Sequence, residues 1–245
     1  MNTVAAHYQT HLGPVYAWML GNRQAALTRS SAELEEMGLP APMNRTALDL
    51  GAGLGLHSLA LAQRGYNVTA IDSCRLLLDD LRSRTTGLPV AVIEADILEF
   101  PAHVSSRCDV IVCLGDTLTH LPTFAAVEAL LSGVAAALFE RGMFAATFRD
   151  YATKTLEGDD RFILVRRDED RILTCFLEYG ADRVTVHDLL TQREQDQWVQ
   201  RVSSYPKLRL APGWVIAKLE ALGLAARLET APSGMVRIVA RNAAP

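Results

Sequence analysis

Between residues 46 and 150, short apolar runs alternate with stretches whose apolar residues recur at helical spacing. Five runs read as strands: TALDLG (46–51), NVTAID (67–72), PVAVIEADI (89–97), CDVIVCLG (108–115) and GMFAATFRD (142–150). The fourth is too apolar to face water on either side. Helices are predicted between them over 56–65, 74–84 and 122–140. In the first of these, Leu56, Leu59, Ala60 and Ala62 point inward and Gly65 stops the helix. Ser73 is placed to cap the second. Pro122 falls where a first turn tolerates proline in the third. Upstream, residues 14–37 read as helix broken at Gly21–Asn22, and Gly38, Pro40 and Pro42 mark a linker into the first strand.

The pattern changes after residue 150. Three strand-like runs fill 161–190, with DED and GAD between them as turns, the signature of an antiparallel meander. Helical spacing returns over 212–222, and AARLETA and MVRIVAR, separated by PSG, read as a closing hairpin. Alternating strand and helix predicts a parallel sheet with helices on both faces, whose ligand sits at the carboxyl ends of the strands. The expectation is an α/β, Rossmann-like fold: a seven-stranded, mostly parallel sheet carrying a β-rich insertion after strand five. The segments are 1–150 (N-terminal helices and ligand-binding core), 151–210 (insertion over the substrate) and 211–245 (helix and hairpin returning to the core).

Composition narrows the function classes. Of 245 residues, 49% are apolar, enough for a sizeable core, and the net charge is −4 with no basic run. That balance excludes a nucleic-acid footprint as the first reading. The four cysteines, Cys74, Cys108, Cys113 and Cys175, form no CxxC pair, and three of them sit in apolar runs as small core residues. The first residues lack the basic and apolar regions of a signal peptide, and no apolar run is long enough to span a bilayer. A cytoplasmic protein without membrane partners is expected, with homo-oligomerisation left open.

The chemistry concentrates in LDLGAGLGLHSLALAQRGYNVTAIDSC, residues 48–74. Gly51, Gly53 and Gly55 lie between the first strand and first core helix, where glycine permits a tight turn and close approach of a ligand. A dinucleotide loop requires a glycine three places after Gly53; Leu56 stands there instead. Asp72 ends the second strand, placed to accept both hydroxyls of a ribose, and Asp96 ends the third, placed to accept an adenine amine. Each feature alone also fits a plain tight turn, a helix N-terminal charge or a solvated strand end.

Together, over residues 46–150, they resemble the class I S-adenosylmethionine (SAM) methyltransferases. The resemblance implies SAM as cofactor and S-adenosylhomocysteine as product, with Gly51, Ala52 and Gly53 against the amino-acid part of SAM and Asp72 and its neighbour Ser73 at the ribose. It calls for neither a metal nor a covalent nucleophile. The Asp/Asn-Pro-Pro-aromatic motif of nucleobase and glutamine amine methyltransferases is absent after the fourth strand.

CLGDTLTHL (113–121) is instead similar to the corresponding segment of the glycine N-methyltransferase-like enzymes. So are WMLGNRQ (18–24), TFRDYATKTL (147–156) and SSYPKLRL (203–210). This narrower resemblance implies that Asp96, Ile97, Leu114 and His120 line SAM alongside Gly51 and Asp72. It puts Trp18 and Arg23 in the segment that covers SAM, Arg23 standing in for an arginine that aligns with Ala25. Trp18 and Tyr16 each fit either a core face or a cofactor lid. It also implies that Arg149 receives a substrate carboxylate and that Tyr205 lines the substrate pocket. Asp116, where the family has asparagine, would take or orient the proton of an amine. Trp198 and Trp214 are read as packing residues. The functional expectation is methyl transfer to a small-molecule acceptor, an amine of an amino acid or similar compound. O- or S-methylation and a non-catalytic SAM-binding partner protein are the alternatives.

Overall fold

The computed structural model describes residues 3–39, 45–231 and 234–242. The expected linker prolines Pro40 and Pro42, and most of the PSG turn, lie outside them. The chain opens with a helical segment, of which the sequence reading anticipated only the part from residue 14 onward. It comprises α1 (Val4–His7), a wide π turn over Tyr8–Leu12, and α2 (Gly13–Leu20). Asn22 then caps α3 (Arg23–Glu36) through a bond from the Ala25 N–H. The break at Gly21–Asn22 is where it was expected, with Gly21 at φ +78°.

The core follows as β1 (Thr46–Leu50), α4 (Leu56–Gln63), β2 (Asn67–Asp72), α5 (Arg75–Arg84), β3 (Val90–Glu94), β4 (Cys108–Cys113), α6 (Phe124–Ala137) and β5 (Leu138–Phe148). The sheet order is β10-β11-β5-β4-β1-β2-β3, with β10 (Leu224–Thr230) and β11 (Val236–Asn242) as the antiparallel closing hairpin. This is the expected seven-stranded, mostly parallel sheet. Strand β4 is buried throughout, and its side chains alternate between two cores. Cys108, Ile111 and Cys113 join the cluster under α6 and α7 (Pro212–Ala221), while Val110 and Val112 join the cluster under α3 and α4. Burial of each large apolar residue here contributes about 1.5–3 kcal/mol, which explains why the strand tolerates no polar face.

Four local expectations are corrected. Cys74, not Ser73, stands at the N-cap of α5, and the Asp72 carboxylate takes its N–H at 2.7 Å. The acid at the strand end does the work expected of the serine. Pro122 precedes the cap of α6, where the Thr123 hydroxyl accepts from Ala126. Strand β3 ends at Glu94, and Asp96 caps a short 3₁₀ turn, Ile97–Ala102, through the Leu98 N–H. In α4, Ser58 and Leu61 are buried along with Leu59, Ala60 and Ala62 of the predicted face, because the helix packs on the sheet and under α3, whereas Leu56 is only half-buried.

Between β5 and α7 lies a second sheet, β6 (Phe162–Arg167), β7 (Arg171–Tyr179), β8 (Arg183–Glu194) and β9 (Gln197–Leu208), paired in that order and antiparallel throughout. Three of its strands match the predicted meander. The fourth was missed because its hairpin turn, Gln195–Asp196, places both residues at positive φ (+47° and +64°) without a glycine. Trp214 packs edge-on against Phe124 as expected, whereas Trp198 is 47% exposed at the turn end of β9, under Arg193. All four cysteines are free thiols, and no described helix is long and apolar enough to cross a membrane.

Candidate functional site

The sheet order reverses between β1 and β4, which leaves a crevice at their carboxyl ends. The glycine loop forms its floor. The N–H groups of Gly51 and Ala52 both donate to the Ile71 carbonyl, pinning the loop to β2. Gly51 sits at φ +78°, and a Cβ there would lie 2.4 Å from Thr117. Gly53, at φ +53°, differs: a Cβ would meet only Leu77, at an ordinary contact distance of 3.8 Å, so its face is not crowded. Asp72 accepts the Gly53 N–H at 2.8 Å on one oxygen and the Cys74 N–H on the other. A carboxylate offers about four lone-pair sites, so two remain for a ligand. Burial raises the Asp72 carboxyl above its ordinary value, against the lowering effect of those N–H bonds.

Above the loop is a cavity of about 730 Å³, within the roughly 300–1,000 Å³ of small-molecule sites. Gly51, Ala52, Gly53, Asp72, Ser73, Asp96, Ile97, Leu114 and His120 all line it, so nine of the predicted positions meet in one place. Helices α1 to α3 roof it with Val4, Tyr8, Tyr16 and Leu20 and add Arg29, Ser30 and Glu33. Glu33 pairs with His57 of α4 at 3.1 Å, and neighbouring Glu36 with Arg237 at 3.1 Å. Arg29 carries no such bond, which leaves it the guanidinium free to meet an anionic group among the described lining residues.

The sheltered end of the cavity is built of rings. His120 lies 5.5 Å from Tyr8 and 5.7 Å from Tyr205, and Tyr205 stacks on His7 at 4.1 Å. His7 is fully buried, bonded to Ser203 at 2.8 Å and Asp188 at 2.9 Å, which ties the N-terminal helix to the second sheet. His120 is different. It forms no hydrogen bond among the described residues, and its Nε2 is buried without a partner. Burial first, and the Lys207 charge second, lower its pKa to about 3. Burial also pushes the Tyr16 hydroxyl up to about 12 and those of Tyr8 and Tyr205 well above their usual range.

Asp116 lies just beyond this end and does not line the cavity. It is buried at φ +79° and binds the Lys207 ammonium at 2.5 Å, the Arg149 N–H at 2.9 Å and the Thr119 hydroxyl at 3.0 Å. Burial would raise its pKa, but Lys207 and the other donors bring it below the ordinary carboxylate value. The acid expected to handle an acceptor proton is therefore saturated by internal donors. Arg149 contributes only that backbone bond; its side chain is exposed and off the cavity. Tyr205 backs His120 rather than lining the cavity itself.

Two other predicted positions lie elsewhere. Trp18 donates to Asp168 and sits beneath Arg171 at 4.8 Å, fastening α2 to the second sheet, while Tyr16 faces the cavity. Residues two apart on a helix point to different sides, so only one of the pair can be a lid. Arg23 pairs with Asp80 of α5 at 2.6 Å, and Arg29 takes the inward position instead. Arg23→Ala is expected to leave SAM affinity at its wild-type value in calorimetry and to cost less than about 1 kcal/mol of stability, since the pair is partly exposed. The sequence reading passed over Tyr8, Arg29 and Lys207. Tyr8 and Tyr16, eight residues apart, share one helical face, which was the available signal for the first; Lys207 had none.

The sequence profile described as "Methyltransferase domain" matches residues 47–142, the span that carries the glycine loop, Asp72, Asp96 and His120. Residues 47–142 are a methyltransferase domain. The relatives extend the likeness beyond it. A cypemycin N-terminal methyltransferase from Streptomyces sp is 32% identical over 174 residues, 63% of this chain and 66% of that protein. A glycine/sarcosine N-methyltransferase from Aphanothece halophytica is 29% identical over 79 residues, 31% of this chain and 30% of that protein. The chain thus spans just under two thirds of the first relative and under a third of the second. Among solved structures, the CcbJ methyltransferase from Streptomyces caelestis superposes with a TM-score of 0.77 at 18% identity, over 97% of this chain and 98% of that one. A SAM-bound amino pentose methyltransferase from Micromonospora echinaspora gives 0.76 at 17%, over 95% and 97%. At these identities the likeness establishes the fold, which beyond the methyltransferase domain includes the second sheet.

Proposed function

We propose that this chain is a SAM-dependent methyltransferase whose acceptor is the nitrogen of a small neutral amine. The observation that carries the reading is the protonation state of the sheltered end. His120 is held neutral, the tyrosines are held protonated and Asp116 is held ionised. Neither His120, Tyr8, Tyr205 nor Asp116 is poised to exchange a proton near neutral pH. A hydroxyl or thiol acceptor needs a base with a pKa near the working pH. A neutral amine brings its own lone pair and needs only orientation.

The bound cofactor supplies a methyl group already activated on a sulfonium. The residues do the rest. The spare lone pairs of Asp72 suit ribose hydroxyls, the uncrowded face at Gly53 admits the ligand backbone, and Arg29 suits the amino-acid carboxylate. A free ring nitrogen of His120 accepts a bond from the acceptor N–H and aims its lone pair along the methyl–sulfur axis. Placement of this kind alone is worth effective molarities of ~10⁵ M or more. The faces of Tyr8 and Tyr16 favour the ammonium that forms. Residues 151–210 and the N-terminal helices close this end over a core made by the rest of the chain, and the free thiols fit a reducing, cytoplasmic setting. Of the relatives named above, one is a glycine/sarcosine N-methyltransferase and the other an N-terminal methyltransferase, which supports nitrogen as the acceptor.

Three measurements test the reading. SAM and S-adenosylhomocysteine should raise the melting temperature and NAD should not. Asp72→Asn should weaken SAM by ~1.5–3 kcal/mol while keeping an oxygen for the Gly53 N–H. Turnover with labelled SAM should appear in a panel of amino acids, peptide N-termini and amino sugars, and not with phenols or thiols. Unchanged SAM affinity in Asp72→Asn sinks the cofactor site, and a preferred phenol sinks the amine.

A further inference from the structure

We propose that Lys207, reaching across from the second sheet, is a positioning residue that acts through His120 and keeps its ring nitrogens free for the acceptor. The inference rests on the reading of His120 as the group that orients the amine. Its own evidence is geometric. Lys207 lies near the end of β9, is 8% exposed, and ends on the Asp116 carboxylate at 2.5 Å. Asp116 and His120 flank a single 3₁₀ turn, Thr117–His120, so the ion pair and the imidazole belong to one rigid unit.

One ring separates them. The Lys207 Nζ lies 5.6 Å from the centroid of Tyr205, and the His120 ring lies 5.7 Å from the same centroid. Tyr151 flanks the ammonium on another side at 5.7 Å. The groups that face His120 are thus Lys207 and Tyr205 from β9, Asp116 from the turn after β4, and His7 and Tyr8 from the N-terminal helix. Lys207 and His7 oppose a charge on His120, and Asp116 favours one.

An ion pair placed only for stability need not stand beside an unpartnered imidazole. Here the orientation has a chemical consequence. Were His120 to gain a proton, the imidazolium would lose its acceptor nitrogen and would repel the ammonium that develops on methyl transfer. A second cation against the same buried ring disfavours that proton. Burial disfavours it as well, and burial is the larger influence. The lysine matters because Asp116 alone would pull the other way. Burial is the largest influence on its ammonium and would lower its pKa, but Asp116 and Tyr151 together more than offset that cost and the charge is retained.

The test is a titration of the His120 ring signals by NMR in histidine-labelled protein, with the pH profile of kcat/KM in parallel. In the wild type, His120 should show no titration above about pH 5, in keeping with its burial. In Lys207→Met the midpoint should rise by about one unit or more, and the acid limb of kcat/KM should rise with it. Lys207→Arg should restore both, because the charge returns. A role in stability alone would lower the melting temperature and leave the midpoint in place. Should Lys207→Met fail to fold, Lys207→Met with Asp116→Asn replaces it. The midpoint must still exceed that of the wild type, since the lysine is the stronger of the two influences. A midpoint that does not move in either variant overturns the proposal. A midpoint that moves as expected, in a protein whose turnover survives His120→Phe, upholds the electrostatic role of Lys207 and overturns its link to the acceptor.

Discussion

His120→Phe is expected to lower kcat by roughly 10²-fold and to leave the SAM dissociation constant at its wild-type value. Phenylalanine keeps a flat ring between Tyr8 and Tyr205, so the packing at 5.5 and 5.7 Å survives. What it removes is two nitrogens that form no hydrogen bond among the described residues, the Nε2 being buried without a partner. A merely structural histidine would lose little by this exchange, and the fold would gain from no longer burying an unsatisfied polar atom. The loss therefore belongs to the acceptor. It should appear in kcat because an unaimed amine binds but reacts slowly. Single-turnover kinetics and calorimetric titration with SAM make the comparison. Wild-type turnover in a folded His120→Phe protein removes the histidine from the mechanism. A fall in SAM affinity of the same size would return it to the role of a cofactor contact, as the resemblance to the glycine N-methyltransferase-like enzymes implies.

Asp116→Ala is expected to be the most destabilising single change in the site, at about 3–5 kcal/mol, because it leaves the Lys207 ammonium buried without its counter-ion. The Arg149 N–H and the Thr119 hydroxyl lose their acceptor too. For a domain of this size the melting temperature should fall by roughly 2–4 °C for each kcal/mol. Asp116→Leu combined with Lys207→Met should recover much of the loss, since an apolar pair of similar volume removes both buried charges. The sign of the pH dependence follows from the direction of the Asp116 shift. Its carboxyl titrates below the ordinary value of 3.8 in the folded protein. Its contribution is therefore complete above that value and lost as the pH falls further. The gap between wild type and Asp116→Ala should be widest at neutral pH and shrink below about pH 4. Equal stability at pH 7 in urea denaturation would count against the pair as a fastening between the two sheets.

The glycine loop was legible because its requirement is local. Positive φ at Gly51, Gly53 and Gly55 is written into residue type, and Asp72 reaches Gly53 because a parallel neighbour brings the ends of β1 and β2 together. Strand β4 was legible because burial on both faces leaves a single polar position, Asp109. The hairpin at Gln195–Asp196 was not legible, since neither residue announces a positive φ. The N-terminal helix was missed because TVAAHYQTHL mixes polar and apolar residues, and its polar residue His7 is satisfied only by Asp188 and Ser203, some 180 residues away or more.

The same division runs through the site. Sequence alone determined the glycine-loop edge of the cavity, because loop, strand end and following helix are contiguous and their geometry follows from the βαβ unit. It could not determine the acceptor end. Arg149 and Asp116 close neighbouring strands, and on a flat sheet both would face the ligand, so the sequence reading paired them around a zwitterion. Tertiary structure decided otherwise by bringing Lys207 from the second sheet onto Asp116, turning Arg149 to solvent and leaving His120 without a partner. Those outcomes depend on where a separate sheet docks. Docking is set by the summed burial of Tyr151, Leu177, Val184, Val186 and Tyr205, and residues so far apart in the chain carry no spacing that the sequence could reveal.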